Sequence, residues 1–232
     1  MKIIKNEKLI TRNSKIAQWL SLGALGVLGL GMYLSIARPE LFAYSLACLV
    51  VGFMMTQVGM YMGNRWGRSP RPYEKLDAGL KGLHSEFHLY HFASPVSHLL
   101  VGPAGVWVLL PYHQGGKIYF EKNRWKNKGG GFFAGYMRIF GQEGIGRPDL
   151  EAEAEVEIVK KFFKKNMADE NAIPEVKAVL VFTNDHAELE ANDSPVPAMK
   201  LKQLKEFMRQ MSKNRALSSA KIAEITALFP KE

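Results

Sequence analysis

Two long segments without charged residues lie near the start of the chain. One runs from Ile16 to Ala37 and the other from Leu41 to Asn64. About 20 apolar residues in a helix are enough to cross the hydrocarbon core of a bilayer. The intervening Arg38–Glu40 link leaves room only for a tight turn. The pattern therefore predicts a transmembrane helical hairpin over residues 16–64, with spans at 16–37 and 41–64.

The distribution of basic residues predicts the orientation of this hairpin. Basic residues flank it on both sides, before the first span at Lys2, Lys5, Lys8, Arg12 and Lys15, and after the second at Arg65, Arg68, Arg71 and Lys75. Because Lys and Arg accumulate on the cytoplasmic side, both termini are expected in the cytoplasm, at the plasma membrane if the protein is prokaryotic. A cleaved signal peptide is the alternative, since Ser35–Ala37 loosely resembles a cleavage site, although the apolar run is long for one.

Small or weakly polar residues recur every three or four positions in the second segment. They are Ser45, Cys48, Gly52, Thr56, Gly59 and Gly63, and the spacing places them on one helix face. Small residues let helix backbones approach closely in lipid, so Gly52, Gly59 and Gly63 are predicted helix-packing positions. They pack either within the hairpin or against a second copy in a homodimer. Cys48 is the only cysteine, which excludes an internal disulfide and a Cys-based zinc site.

The remaining chain shows the periodicities of an α/β domain. After a basic N-terminus at 1–15 and the hairpin, residues 65–72 form a linker and residues 73–232 a cytoplasmic domain. Its predicted helices are Tyr73–Leu83, Asp149–Met167, Met199–Met211 and Ser218–Leu228, and its predicted strands are His88–Ala93, Val96–Val101, Val106–Leu110, Lys117–Phe120 and Val176–Thr183. This order predicts an α/β fold with a mixed sheet flanked by helices.

A Gly-rich, aromatic segment spans residues 129–148. It lacks the Gly-Lys-Ser/Thr ending of a phosphate-binding loop. A loop packed on the domain and a loop that touches the membrane surface or a partner are both compatible with its composition.

The charge balance suggests two classes of partner. The formal net charge is +9, which suits nucleic acid or an anionic lipid surface and is also ordinary for a membrane protein with cytoplasmic basic residues. One basic patch contains an aromatic residue and gives the candidate nucleic-acid-binding residues Lys122, Arg124, Trp125, Lys126 and Lys128. The alternative is a solvated hairpin tip.

The centre of the predicted sheet resembles a known family. Residues 96–118 have the sequence VSHLLVGPAGVWVLLPYHQGGKI, followed by KIYFEKNRWK with Trp125 and by a later strand ending Phe-Thr-Asn. In this order the motifs resemble the nuclease-related domain (NERD), over most of residues 71–212. The resemblance implies a fold similar to PD-(D/E)xK restriction endonucleases and a metal-dependent nuclease site.

The residues that would form that site are replaced. By the resemblance, the family's Asp falls on Ser97, its Glu on Leu110 and its Lys on Tyr112, while the following His is kept as His98. An early helical Glu falls on Tyr73 or, one position on, on Glu74. Phosphodiester hydrolysis requires a divalent cation held by carboxylate oxygens, which Leu110 cannot provide. The resemblance therefore implies a pseudoenzyme with no catalytic residues, no bound metal and no cofactor.

Other residues leave alternatives open. Carboxylates at Glu74, Asp77, Glu86 and Glu121 could have taken over metal binding in a divergent nuclease, and histidines cluster at positions 84, 88, 91, 98 and 113. The leading hypothesis is a membrane-anchored, NERD-like, non-catalytic binding or interaction module whose partners are the lipid bilayer and nucleic acid. A protein-interaction scaffold at the membrane, with a protein partner or a homodimer, is the third hypothesis.

Overall fold

The computed structural model describes residues 1–67, 69–128, 144–167, 173–191 and 193–230. The chain forms two units, each described by itself. The hairpin unit comprises the described residues of Glu7–Arg71. The sheet unit comprises Met1–Asn6 and the described residues from Pro72 onward. Of the Gly-rich segment at 129–148, residues 129–143 lie outside the described residues.

The hairpin unit consists of two long helices. Helix α1 spans Glu7–Ala37 and helix α2 spans Phe42–Met62, joined by a 3-10 turn at Pro39–Leu41 and followed by a π-helical turn at Gly63–Gly67. Both helices are long and apolar enough to cross a membrane, and most of their apolar surface is exposed in the protein alone. The helical hairpin expected from the hydropathy pattern is present. Helix α1 begins at Glu7, however, well before the uncharged segment at Ile16.

Small residues bring the two helices together. The Ser45 hydroxyl donates a hydrogen bond to the Gly31 carbonyl at 2.7 Å. A Cβ added at Gly52 would lie 2.6 Å from Leu28 Cγ, and one at Gly59 would lie 3.0 Å from Ser21 Oγ. Both glycines therefore pack within the hairpin.

Gly63 departs from the predicted packing face. A Cβ added there would meet no atom within 4 Å. Helix α2 ends at Met62, and the π-helical turn that starts at Gly63 changes the spacing of its residues around the axis. Gly63 therefore does not pack within the hairpin, and its packing against a second copy stays a prediction.

The sheet unit is built on a six-stranded mixed sheet in the order β1-β2-β3-β4-β7-β9. Strands β2, β3 and β4 are antiparallel, whereas β1 runs parallel to β2, and β7 runs parallel to both β4 and β9. The strands are β1 (Lys2–Lys5), β2 (His88–His91), β3 (His98–Gly102), β4 (Gly105–Tyr112), β7 (Val176–Phe182) and β9 (Ala198–Lys200). Strand β2 is shorter than expected because Phe92 has a φ of 55° and interrupts the extended backbone.

A second, three-stranded sheet has the order β6-β5-β8. Strand β5 (Gly116–Glu121) pairs antiparallel with β6 (Arg124–Lys128) and parallel with β8 (Ala187–Glu190). Lys122 and Asn123, with φ of 51° and 57°, make the two-residue turn between β5 and β6.

Helices cover both faces of the large sheet. On one face, α3 (Pro72–Leu80) and α5 (Leu201–Lys213) pack against Trp107 and Leu109 of β4. On the other, α4 (Pro148–Asn166) and α6 (Ser219–Ala227) pack against Val106, Val108, Leu110 and Tyr112. The predicted mixed α/β architecture is confirmed, and the four helix positions agree with the predicted ones to within three residues.

Strand β1 is the main departure from the sequence-based picture. Residues 1–15 were expected to form one basic N-terminus, but Lys2–Lys5 form an edge strand of the sheet, with Ile4 buried at 7% exposure. The Lys2 N–H donates to the Phe87 carbonyl at 2.8 Å, and the Asn6 N–H donates to the His91 carbonyl at 3.0 Å. Asn6 is the only residue between β1 and helix α1.

Candidate functional site

A cluster of polar side chains lies buried where β1, β2 and β3 meet helix α3. Lys5 of β1 is the register partner of His91 in β2, and His91 is the register partner of His98 in β3. Helix α3 places Asp77 against them. These four residues, Lys5, Asp77, His91 and His98, are called the polar row below.

The polar row is linked by short hydrogen bonds and an ion pair. Asp77 Oδ2 lies 2.6 Å from Lys5 Nζ, and Asp77 Oδ1 lies 2.9 Å from His91 Nε2. His91 Nδ1 lies 2.8 Å from His98 Nδ1. His91 and His98 are buried, at 0% and 4% exposure, while the side chains of Asp77 and Lys5 retain 18% and 26%. Each buried imidazole therefore has a polar partner, as burial requires.

The hydrogen-bond pattern determines the tautomers. An ionised Asp77 only accepts, so His91 Nε2 carries the proton that it donates to the carboxylate. When His91 is neutral, its Nδ1 is an acceptor, and His98 Nδ1 must be the donor. A single proton therefore lies between the two Nδ1 atoms, and its position depends on the charge of Asp77.

Burial and hydrogen bonding set the charges in the polar row. Burial opposes ionisation of Asp77, but hydrogen bonds from His91 and Lys5 outweigh it and hold the pKa of the carboxyl below its usual value. Burial lowers the pKa of His91, and the hydrogen bond to Asp77 offsets this only in part. Near neutral pH the row contains one carboxylate, one ammonium group and a neutral His91.

Aromatic rings enclose this site. The Tyr73 ring lies 5.6 Å from that of His91, and the Phe92 ring lies 5.1 Å from that of His98, measured between centroids. Lys5 Nζ lies 5.0 Å from the centroid of Tyr73, which adds a cation–π contact. Because His91 has no exposed surface, its imidazole can hold and share a proton but cannot itself reach a substrate. It ties β1 to the sheet.

The three replaced nuclease positions lie in or beside the opposite face of the sheet. Leu110 and Tyr112 are 3% and 9% exposed and belong to the apolar core between the sheet and α4. The Tyr112 hydroxyl donates to Glu151 Oε2 of α4 at 2.5 Å. Burial and the neighbouring Glu151 raise the pKa of Tyr112, so it stays a neutral donor. Ser97 is half-buried just before β3, and its carbonyl accepts from the Phe92 N–H at 2.9 Å.

The carboxylates considered as substitutes are engaged elsewhere. Asp77 belongs to the polar row, Glu121 pairs with Lys126 at 2.7 Å, and Glu86 accepts from Ser219 Oγ at 2.6 Å. Glu74 lies on α3 and is half-buried. Within the residues that the structure describes, no group of three or more His, Cys, Asp or Glu side chains could hold a metal ion.

The basic patch lies on the β5–β6 hairpin, and only some of its five predicted residues are exposed there. Lys122, Arg124 and Lys128 are exposed, whereas Lys126 pairs with Glu121. Trp125 is only 5% exposed and packs against Phe120 and Phe182, with ring centroids 5.5 and 6.1 Å away. Trp125 is therefore removed from the candidate nucleic-acid-binding residues, because its ring fills the core under the β5–β6 hairpin.

Sequence reasoning missed the polar row as a unit. His91, His98 and Asp77 were each noted, but as candidate ligands or surface charges. The signal lay in the turn between β2 and β3, which sets His91 opposite His98. Lys5 joins them only through the pairing of β1 with β2, which local sequence does not reveal.

Comparison with known proteins identifies no relative of the chain. The chain matches no protein-family model, and neither the curated proteins nor the solved structures give a match.

The polar row predicts a pH-dependent stability. Because the pKa of His91 is lower in the folded state than its unfolded value of about 6.5, the unfolded chain binds the extra proton first. The contribution of neutral His91 to the free energy of unfolding is therefore fully present above pH ~6.5, and it is lost as the pH falls below that value. The half-buried His88, whose pKa is also lowered mainly by desolvation, acts in the same direction. The His91→Gln variant should lose about 1–3 kcal/mol at pH 7.5 and show a flatter profile down to pH 5.5.

Thermal or denaturant unfolding of the full chain in detergent, followed by near-ultraviolet circular dichroism, measures both effects. The matched control is His84→Gln, since the side chain of His84 is 68% exposed. A His91→Gln profile as steep as that of the wild type would contradict the prediction.

Proposed function

We propose that this protein is a membrane-anchored, nuclease-related binding module that does not hydrolyse nucleic acid. The NERD resemblance supplies the fold expectation, and a mixed sheet with helices on both faces is compatible with it. The proposal rests on one observation: the positions that correspond to the metal-binding Glu and its Lys are occupied by Leu110 and Tyr112, inside an apolar core.

The chemistry of these side chains supports the absence of hydrolysis. A divalent cation at a phosphodiester needs carboxylate oxygens around it and a positioned water. Leu110 has no ligand atom, and the Tyr112 hydroxyl is already bound to Glu151. Introducing a cation here would require burying its charge among apolar side chains, which is strongly unfavourable.

We expect no metal-dependent cleavage by the purified full-length protein. Plasmid DNA, single-stranded DNA and RNA should remain intact with Mg²⁺ or Mn²⁺, at the level of a mock preparation from cells without the protein. Gel electrophoresis over several hours measures this.

A divergent nuclease with migrated carboxylates is the alternative. It is supported if cleavage co-elutes with the protein, is abolished by EDTA and is lost in Glu74→Gln or Asp77→Asn. Glu121→Gln serves as the matched comparison because Glu121 lies on the β5–β6 hairpin and pairs with Lys126.

Nucleic acid is the ligand that the charge of the sheet unit favours. Three cations of the β5–β6 hairpin are exposed, namely Lys122, Arg124 and Lys128. No ion pair to them occurs among the described residues. Cations of this kind bind phosphates through counterion release, which makes the affinity depend on salt. Lys126 and Trp125 are left out of the binding set, since one is paired and the other buried.

Replacing Lys122, Arg124 and Lys128 by Ala should flatten the salt dependence of DNA or RNA binding. Each phosphate contact contributes roughly −0.7 to −0.9 to the slope of log K against log salt, so the slope should fall in magnitude by about 2 to 3. Fluorescence anisotropy at 50–300 mM salt, a range chosen to follow this slope, measures it.

The control replaces three exposed lysines of α4, Lys161, Lys164 and Lys165, which removes the same charge. An equal effect of both triple variants would show that only net charge matters. Absence of binding at low salt would instead favour the third hypothesis, a scaffold for a protein partner.

We further propose that both ends of the hairpin lie in the cytoplasm. Strand β1 precedes the hairpin and its partner β2 follows it, so a chain that crosses the membrane twice keeps both on one side. The bias of Lys and Arg toward the ends of the hairpin favours the cytoplasmic side.

Single-cysteine labelling in a Cys48→Ala background tests this topology. A cysteine at Glu40, in the turn between α1 and α2, should react with a membrane-impermeant maleimide in intact cells. A cysteine at the exposed Lys165 should react only after permeabilisation. Labelling of the Lys165 variant in intact cells would contradict the proposed orientation.

A further inference from the structure

Helix α1 extends beyond its uncharged segment and carries a basic face there. Lys8, Arg12 and Lys15 are all exposed, and Trp19 on the next turn is 73% exposed. At 3.6 residues per turn these four residues fall within an arc of roughly 60°. They are called the basic collar below.

The opposite side of the same helical segment is buried. Ile10 and Ala17 are 2% and 3% exposed, and Ser14 is 9% exposed. Within the hairpin unit, α1 contacts both α2 and the π-helical turn at Gly63–Gly67. The helix therefore has a fixed rotation, and the basic collar points away from the hairpin's own packing surface.

The cations of the collar have no partner in the part of the hairpin unit that the structure describes. No ion pair or hydrogen bond to the side chains of Lys8, Arg12 or Lys15 occurs among the described residues. Some other exposed cations do have a carboxylate partner, as in Lys117 with Glu190 at 2.8 Å and Lys202 with Asp185 at 2.9 Å. Three like charges at intervals of four and three positions repel one another unless an anion lies beside them.

The length of the helix determines where these charges lie in a membrane. The 31 residues of α1 span about 46 Å at 1.5 Å per residue. The hydrocarbon core takes about 30 Å, and each headgroup layer adds about 5–8 Å. With the uncharged segment from Ile16 onward in the core, Trp19 lies near the boundary of the hydrocarbon, and Lys15 and Arg12 lie at the headgroups.

Basic and aromatic residues also lie together at the end of α2, in the same unit. Arg65 donates to the Tyr61 hydroxyl at 3.0 Å, and its guanidinium lies 5.5 Å from the ring of Trp66. Tyr61 is 51% exposed. Aromatic and basic side chains together are typical of the headgroup region.

We infer that the basic collar binds the phosphate headgroups of anionic phospholipids. Lys15 and Arg12 lie at the depth of the phosphates and Lys8 lies on their aqueous side, next to an exposed tryptophan and a lipid-facing apolar surface, and none of the three has a partner among the described residues. Such cations bind anionic lipids in preference to zwitterionic ones, and the preference is electrostatic. The inference rests on the proposed two-span insertion of the hairpin.

Electron paramagnetic resonance with spin-labelled lipids tests the inference on the full-length protein. The protein is reconstituted in phosphatidylcholine vesicles that contain a trace of spin-labelled phosphatidylglycerol or phosphatidylcholine. We expect the lipid shell around the protein to prefer phosphatidylglycerol roughly twofold or more at low salt, since each contacted cation favours an anionic lipid by roughly fivefold. The preference should disappear at 1 M salt, where the screening length is only about 3 Å.

The variant Lys8→Ala, Arg12→Ala, Lys15→Ala should abolish most of the preference while leaving the amount of motionally restricted lipid unchanged. The control triple variant, at Lys161, Lys164 and Lys165, should keep it. An equal association of both labelled lipids with the wild type, or an undiminished preference in the collar variant, overturns the inference. Absence of any restricted lipid would instead contradict the insertion of the hairpin itself.

Discussion

The parallel pairing of β1 with β2 is the constraint on which the rest of the structure depends. Parallel neighbours cannot be joined by a tight turn and need a long crossover, which in most domains is a helix packed on the sheet. In this protein the crossover contains the entire hairpin and helix α3. The two strands are nevertheless joined in register over four residue pairs, from Lys2 with His88 to Lys5 with His91. The hairpin is thus an insertion within the sheet unit rather than an appendage at its end.

The polar row strengthens this pairing at the point where the chain leaves the sheet. Lys5 is two residues from the start of α1, and its ammonium group neutralises an Asp77 carboxylate that also orients His91. A buried carboxylate without these partners would be costly, so β1, α3 and the two histidines depend on one another. On the opposite face of the sheet, Leu110 and Tyr112 belong to an apolar core instead. The charged groups therefore lie beside β1, β2 and β3 on the α3 face, whereas β4 packs in apolar clusters on both of its faces.

Long, strongly periodic segments were predictable, and short or paired ones were not. The hairpin helices, α3 to α6 and strands β3, β4 and β7 follow from runs of apolar residues, whose burial drives their formation. Strands β1, β6, β8 and β9 have three to five residues, and their conformation depends on partners distant in sequence. Trp125 illustrates the limit at the candidate site: its basic neighbours suggested exposure, whereas alternation along β6 turns its ring inward. The polar row required knowledge of register between strands, which local sequence does not contain.

Strand β1 also has a practical consequence for how the protein can be divided. Residues from Pro72 onward contain almost the whole sheet unit and would be the natural choice for a soluble fragment. Such a fragment lacks Lys2–Lys5, so the backbone of β2 becomes an open edge that other chains can pair with. It also leaves Asp77 without its ammonium partner. Joining the first six residues to residue 72 through a short linker would restore the β1–β2 pairing and the ammonium partner of Asp77. The backbone hydrogen bonds that cover the edge of β2 would then be kept.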